Sequence, residues 1–128
     1  MHEMALCTEV VKSVLATAEE ADAVAVNEVS MVIGEMRDII TDMFDSFFHY
    51  LARGTIAENA RVSFITKPLL VQCNDCGRIW PVDVANGQKT SCPECAAMNY
   101  EVVSGMEFLI ESIDVTTRAE SEDAEVAA

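Results

Sequence analysis

Cys73-Asn74-Asp75-Cys76 and Cys92-Pro93-Glu94-Cys95, separated by residues 77–91, are the stretch on which the reading of this chain turns. Each Cys-x-x-Cys turn lets two sulfurs converge on one point while nearby backbone N–H groups face them. Two such turns complete the tetrahedron that Zn²⁺ prefers, and the spacing matches a four-thiolate zinc pattern. The same cysteines would also serve two disulfides, a redox dithiol or an iron centre of an electron carrier. On any of these readings the segment is a stapled unit too short for an ordinary core, with only a small one beside the site. Arg78 to Val84 and Met98 to Val103 are expected to supply short strands around it. Asn86-Gly87 is expected to turn between them, and Trp80 to pack beside the sulfurs.

Outward from that unit, composition bounds the rest. The chain has 128 residues, enough for one ordinary core, and its 51% apolar content argues against disorder. No run approaches the roughly 20 apolar residues of a membrane span, and the start lacks the basic region of a secretory signal. A formal charge of -14 argues against a nucleic-acid partner. Five cysteines, four of them in a metal pattern, fit a reducing cytoplasm.

The flanks supply the larger core. Residues 3 to 20 read as a helix with Met4, Cys7, Val11, Val14, Leu15 and Ala18 on one stripe, which makes Cys7 a buried thiol. From Val26 to Ile33 the period becomes two, with Val29, Met31 and Ile33 on one face, and Gly34 ends the strand. Residues 40 to 53 return to helix, with Phe44, Phe47, Phe48 and Leu51 on one face and Gly54 as its cap. His49 lies off that stripe and reads as a solvated surface residue. Residues 60 to 66 form a second strand, closed by Pro68.

After Gly105, Glu107 to Val115 form a third strand. Phe108 and Ile110 share one face, and Leu109, Ile113 and Val115 the other. Helix, strand, helix, strand, insert, strand implies an α/β (α+β) fold. Two helices would lie on a small three-stranded mixed sheet, with a zinc-ribbon-like domain inserted. The expected divisions are 1–68 plus 105–116 for the main domain, 69–104 for the zinc domain and 117–128 for a frayed acidic tail.

Met1-His2-Glu3 is the second place where chemistry gathers. A free amine, the backbone nitrogen of His2 and an imidazole nitrogen can form fused chelate rings, completed by the backbone nitrogen or carboxylate of Glu3. Nitrogen-rich tetragonal surroundings favour Ni²⁺ or Cu²⁺ over Zn²⁺. The bulk of His2 favours retention of Met1. From the residues alone, a solvated histidine at a helix start remains the other reading.

Taken in order, the Met1-His2-Glu3 start, the first amphipathic helix, Ile33-Gly34-Glu35, Arg53-Gly54-Thr55, the paired Cys-x-x-Cys motifs and the strand closing at Val115 resemble the HypA/HybF family. These are hydrogenase nickel-incorporation accessory proteins, and the match covers residues 1 to 116. The resemblance implies a non-enzymatic, cytoplasmic nickel metallochaperone. It implies nickel cargo, Ni(II), on the Met1 amine, His2 and Glu3, and structural Zn(II) on Cys73, Cys76, Cys92 and Cys95. It implies as partners a hydrogenase-maturation GTPase and the nickel-iron hydrogenase large subunit, with urease maturation proteins served by some members.

The chain departs from the family at Arg37 through Thr41, where a proline and small residues are usual. It departs again at Ala96, where glycine is usual and permits conformations that alanine resists. Two rival functions stay in view. One is a zinc-ribbon interaction module without nickel cargo, and the other is an iron electron carrier. A hydrolase built on Cys7 has no supporting motif.

Overall fold

Cys7, Val10, Val11, Val14 and Ala18 recur at intervals of three and four. That spacing lays them on one buried face of helix α1, Glu3–Glu20, while Met4 at the head of the expected stripe is 40% exposed. The computed structural model describes residues 3–82 and 91–127. Its described residues fall into two compact units, one from 3–31, 39–64 and 110–127, the other from 32–38, 65–82 and 91–109. In chain order the remaining elements are β1 Ala23–Gly34, α2 Thr41–Leu51, β2 Arg61–Lys67, β3 Leu70–Cys73, β4 Ile79–Pro81, β5 Tyr100–Ser104, β6 Phe108–Thr117 and α3 Arg118–Ala127. A single 3-10 turn, Glu35–Arg37, follows β1.

In the first unit, α1 passes to β1 through Asp22, whose φ of 55° reverses the chain in the left-handed region open to Asp. β1 is the middle strand of a three-stranded sheet of order β2-β1-β6. It buries Val29, Met31 and Ile33 at alternate positions, as the period-two pattern predicts, but also Val26 and Val32, so the alternation of burial breaks down towards its end. β6 runs antiparallel to it. Asn27 Nδ2 donates to Asp114 Oδ2 at 3.0 Å and Thr116 Oγ1 at 3.1 Å, and Arg118 N–H donates to Asp22 O at 2.8 Å.

Helix α2 buries Phe44 and Phe48, four residues apart, and Ala52 follows buried just past its end, leaving Phe47 and Leu51 only half-buried. Each buried phenylalanine contributes about 1.5–3 kcal/mol relative to an exposed one. The Phe44 ring meets Phe64 of β2 edge-on, centroids 5.8 Å apart. Cys7 Sγ lies 3.7 Å from Phe44 O, tying α1 to α2.

The acidic end, expected to fray, is helical from Arg118 to Ala127. The reason is a capping box in Thr117-Arg118-Ala119-Glu120. Glu120 N–H donates to Thr117 Oγ1 at 3.2 Å while Thr117 N–H donates to Glu120 Oε1 at 3.3 Å. Alanine-rich sequence then continues the helix.

In the second unit, β3 is the middle of an antiparallel sheet of order β4-β3-β5. The sequence pattern predicts no strand here, because Pro68 closes the strand before it. Proline instead interrupts the chain for two residues before Leu70 pairs again with Pro81 and Ser104. Leu69, Val71, Cys73, Trp80, Val82 and Cys92 form a small core, with Trp80 meeting Tyr100 at 6.5 Å. β4 is shorter than the expected 78–84 strand; residues 83 and 84, and the Asn86-Gly87 turn, lie outside the described residues. Arg37 of the 3-10 turn donates from Nε to Met106 O at 2.8 Å, and Met36 N–H donates to Gly105 O at 2.8 Å.

Candidate metal centre

Cys73 ends β3, and the chain turns immediately. Gly77 N–H donates to Cys73 O at 3.0 Å and Cys73 N–H to Arg78 O at 2.8 Å, closing a tight loop around Asn74 and Asp75. The second pair repeats this. Ala96 N–H donates to Cys92 O at 2.9 Å and Cys92 N–H to Ala97 O at 2.9 Å. Both knuckles need a left-handed residue directly after their second cysteine, Gly77 at φ 79° and Ala96 at φ 61°. Alanine in that region bears a strain that glycine avoids. The sequence departure at Ala96 is therefore carried as backbone strain and leaves the knuckle's shape intact.

The knuckles also aim the same donors at the sulfurs. Asp75 N–H lies 3.4 Å from Cys73 Sγ, and the backbone of Glu94 donates to Cys92. Arg78 N–H serves Cys76, and Ala97 N–H serves Cys95 in the same way. An Arg78–Glu94 ion pair at 3.3 Å joins one knuckle to the other. Cys73 and Cys92 are buried in the small core, and Cys76 and Cys95 face outward.

The four sulfurs lie within 4.8 Å of one another. Cys73 Sγ is 3.6 Å from Cys95 Sγ, and Cys76 Sγ is 3.5 Å from Cys92 Sγ. A disulfide needs about 2.05 Å, and all five cysteines are free thiols. Zinc–sulfur bonds of about 2.3 Å in a tetrahedron put sulfurs about 3.8 Å apart, so this arrangement fits a single zinc ion.

The electrostatics match. The Cys95 N–H, then that of Glu94, holds the Cys92 thiol down to about 7 against its burial. Cys95 receives the Ala97 N–H, yet the neighbouring Cys73 and Cys92 sulfurs and desolvation push it up to about 12. Four cysteines this close cannot all ionise without a cation among them. Among the described residues this is the one group of three or more potential metal ligands that converges.

Of the N-terminal candidates, Glu3 opens α1 and is half-buried, while Met1 and His2 lie outside the described residues. Cys7 is no nucleophile. Burial, with Asp45 beside it, pushes its thiol up to about 12. His49 differs from the solvated residue expected. Its Nε2 lies 2.7 Å from Ala60 O and its Nδ1 2.9 Å from Asp45 O, so the ring braces α2 against the entry to β2. The carbonyl of Ala60 is a long-range partner, and nothing in the sequence around His49 signals it. Among the described residues no helix is long and apolar enough to cross a membrane.

A family profile described as hydrogenase/urease nickel incorporation, metallochaperone, HypA, matches residues 1–115. The hydrogenase maturation factor HypA of Dehalococcoides mccartyi is 38% identical over 122 residues, covering 94% of this chain and 99% of its own. That of Pyrococcus furiosus is 30% identical over 138 residues with the same coverage. The solution structure of the nickel metallochaperone HypA from Helicobacter pylori superposes with a TM-score of 0.65 at 18% identity, over 92% of this chain and all of that one. A second HypA solution structure gives 0.71, also at 18% identity, over 92% of this chain and 98% of the other. At that identity the two structures speak for the fold alone.

Proposed function

This chain belongs to the HypA family of hydrogenase/urease nickel-incorporation metallochaperones, and we propose that it carries Ni(II) at its N-terminus while zinc holds its four-cysteine unit together. The observation that carries this reading is the four-cysteine cluster, whose sulfurs converge within 4.8 Å of one another. Four sulfurs fill a tetrahedral shell, which suits a resident metal and leaves the N-terminal nitrogens for the cargo. Cys73, Cys76, Cys92 and Cys95 would hold zinc, which contributes on the order of 10 kcal/mol to folding such a unit and therefore stays put.

The cargo ligands are the Met1 amine, the backbone nitrogen and imidazole of His2, and the backbone nitrogen or carboxylate of Glu3. Glu3 lies in the first turn of α1. The positive end of the helix dipole repels a cation there, and the Glu3 carboxylate offsets it. That balance suits a metal that must leave. An acceptor's ligands can displace the chelate one nitrogen at a time, and each backbone nitrogen that lets go takes back from water the proton it gave up on binding. The protein acts as a carrier rather than an enzyme. It works in the cytoplasm with a hydrogenase-maturation GTPase and the large subunit of nickel-iron hydrogenase, and the family description extends the acceptors to urease maturation.

The test is a nickel titration of the untagged, zinc-loaded protein beside a version carrying one extra residue before Met1. The extension removes the amine from the chelate, and it is expected to abolish stoichiometric nickel binding with the zinc content unchanged. Equal affinity in the two proteins, or nickel found only at the cysteines, would overturn the assignment.

A further inference from the structure

The outer edge of β5 combines features that the metal reading leaves unused. Asn74 N–H donates to Asn99 O at 2.9 Å, and β3 pairs with β5 in the register Cys73↔Tyr100, Gln72↔Glu101 and Val71↔Val102. Bonded and non-bonded pairs alternate along an antiparallel ladder. The bonded pairs are therefore Asn74 with Asn99 and Gln72 with Glu101. Tyr100 and Val102 turn their N–H and C=O groups away from β3. Cys73 agrees with this phase, since its N–H goes to Arg78 on the opposite side. Among the described residues no strand lies beyond β5.

The side chains along this edge are unusual for a strand facing water. Val102 is 47% exposed, Val103 46% and Met106 50%. The register breaks opposite Leu70 and Val71, which leaves Val103 as an extra residue in a bulge beside Val102. Together with Ser104 and Glu107 these residues line a cavity of about 360 Å³. The Glu107 carboxylate is fixed there. Oε1 accepts from Gly105 N–H at 2.7 Å and Oε2 from Ser104 Oγ at 3.3 Å. Its own backbone N–H and that of Gly105 keep it below the usual carboxylate range, with Lys67 adding a smaller share.

We propose that the β5 edge is a docking site for an extended segment of a partner protein. That segment would add a strand beside Tyr100 and Val102 and place a lysine or arginine in the adjoining cavity. An apolar wall ending in a fixed carboxylate suits a long basic side chain, whose methylene stem lies on Val102, Val103 and Met106 while its head reaches Glu107. The outward backbone groups of Tyr100 and Val102, which have no strand beside them among the described residues, supply the strand hydrogen bonds of β-augmentation. A second copy of this chain fits poorly, because each carries a net charge of -14 and pairing would bring Glu101 and Glu107 against like charges.

The probe is the peptide acetyl-Thr-Val-Lys-Val-Thr-amide, titrated into the zinc-loaded full chain and followed by amide NMR shifts and hydrogen exchange. The lysine peptide is expected to shift and protect the Tyr100 and Val102 amides, and its glutamate counterpart to bind at least about tenfold more weakly, the loss of one charge-assisted contact. Val102→Pro removes an outward N–H without touching the β3 ladder and is expected to abolish protection. Glu107→Lys reverses the cavity's charge independently of the strand and is expected to abolish the preference for lysine. Equal binding of both peptides, no binding of either, or protection of the edge by protein concentration alone would each overturn the proposal, the last by making a second copy the occupant.

Discussion

A β carbon placed on Gly34 would sit 2.1 Å from both the carbonyl carbon and the carbonyl oxygen of Gly105, so these two glycines pack backbone against backbone. Gly34 has φ -75°, which any residue adopts, so the requirement there is purely steric. Gly34→Ala is therefore expected to cost about 3 kcal/mol or more, the upper end of overpacking, because the obstructing atoms are main chain. Gly105→Ala adds a second penalty, since its φ is 113° and its β carbon would lie 2.7 Å from Leu69 Cα. Urea unfolding of the two variants checks this. A change below about 1 kcal/mol in Gly34→Ala would mean the contact is not close.

Ala96 and Gly77 occupy equivalent places in the two knuckles, and only one of them is glycine. Ala96→Gly relieves a left-handed alanine and is expected to stabilise the zinc-loaded protein by about 1 kcal/mol. Gly77→Ala should cost a similar amount, as no atom lies within 4 Å of its β carbon and backbone strain alone decides the sign. Thermal unfolding and competition for zinc with a chelator measure both. Opposite signs in the two variants are the expected signature.

These knuckles were the most legible part of the sequence, because two cysteines two residues apart fix their own turn whatever surrounds them. Helices α1 and α2 and strand β1 were legible for a similar reason, since Cys7 to Ala18, Phe44 to Leu51 and Val29 to Ile33 repeat at the period of their element. β3 was not. Its four residues begin two positions after Pro68, and their pairing with Tyr100 and Trp80 depends on partners distant in the chain. The same holds for His49, whose bond to Ala60 O no local pattern encodes. Helix α3 failed for the opposite reason. Its acidic composition outweighed a local capping box at Thr117 and Glu120 that was present to be read.

Cys7 is fully buried, and its thiol is pushed up to about 12 by that burial, so the folded state favours the neutral form. An unfolded thiol ionises near 8.5. The folded-state pKa is raised, so this contribution is fully present below pH 8.5 and is lost as pH climbs through the window up to 12. Each pH unit in that window removes about 1.4 kcal/mol. Subtracting the pH profile of Cys7→Ala from that of the parent isolates this slope from the other cysteines, and the two curves should converge as pH rises. A thiol reagent should leave Cys7 unmodified in the folded, zinc-loaded protein. Rapid modification at neutral pH would contradict its burial.

Zinc removal should act first on the small core beside the cysteines. Leu69, Val71, Trp80 and Val82 share that core with Cys73 and Cys92, so two of its members are themselves proposed ligands. Without a cation, four sulfurs within 4.8 Å must hold protons or separate. Chelation is therefore expected to expose Trp80, the only tryptophan in the chain, and to shift its fluorescence to the red. Trp80 is 4% exposed, and its Nε1 has no hydrogen-bond partner among the described residues. Opening this core would let water satisfy that N–H, which lowers the cost of unfolding the unit by about 1–3 kcal/mol. Substituting Cys92→Ser should reproduce the red shift without chelator, because Cys92 is both buried and ligating on the proposed reading. An unchanged emission maximum after complete zinc removal would show that the apolar contacts alone hold this unit together.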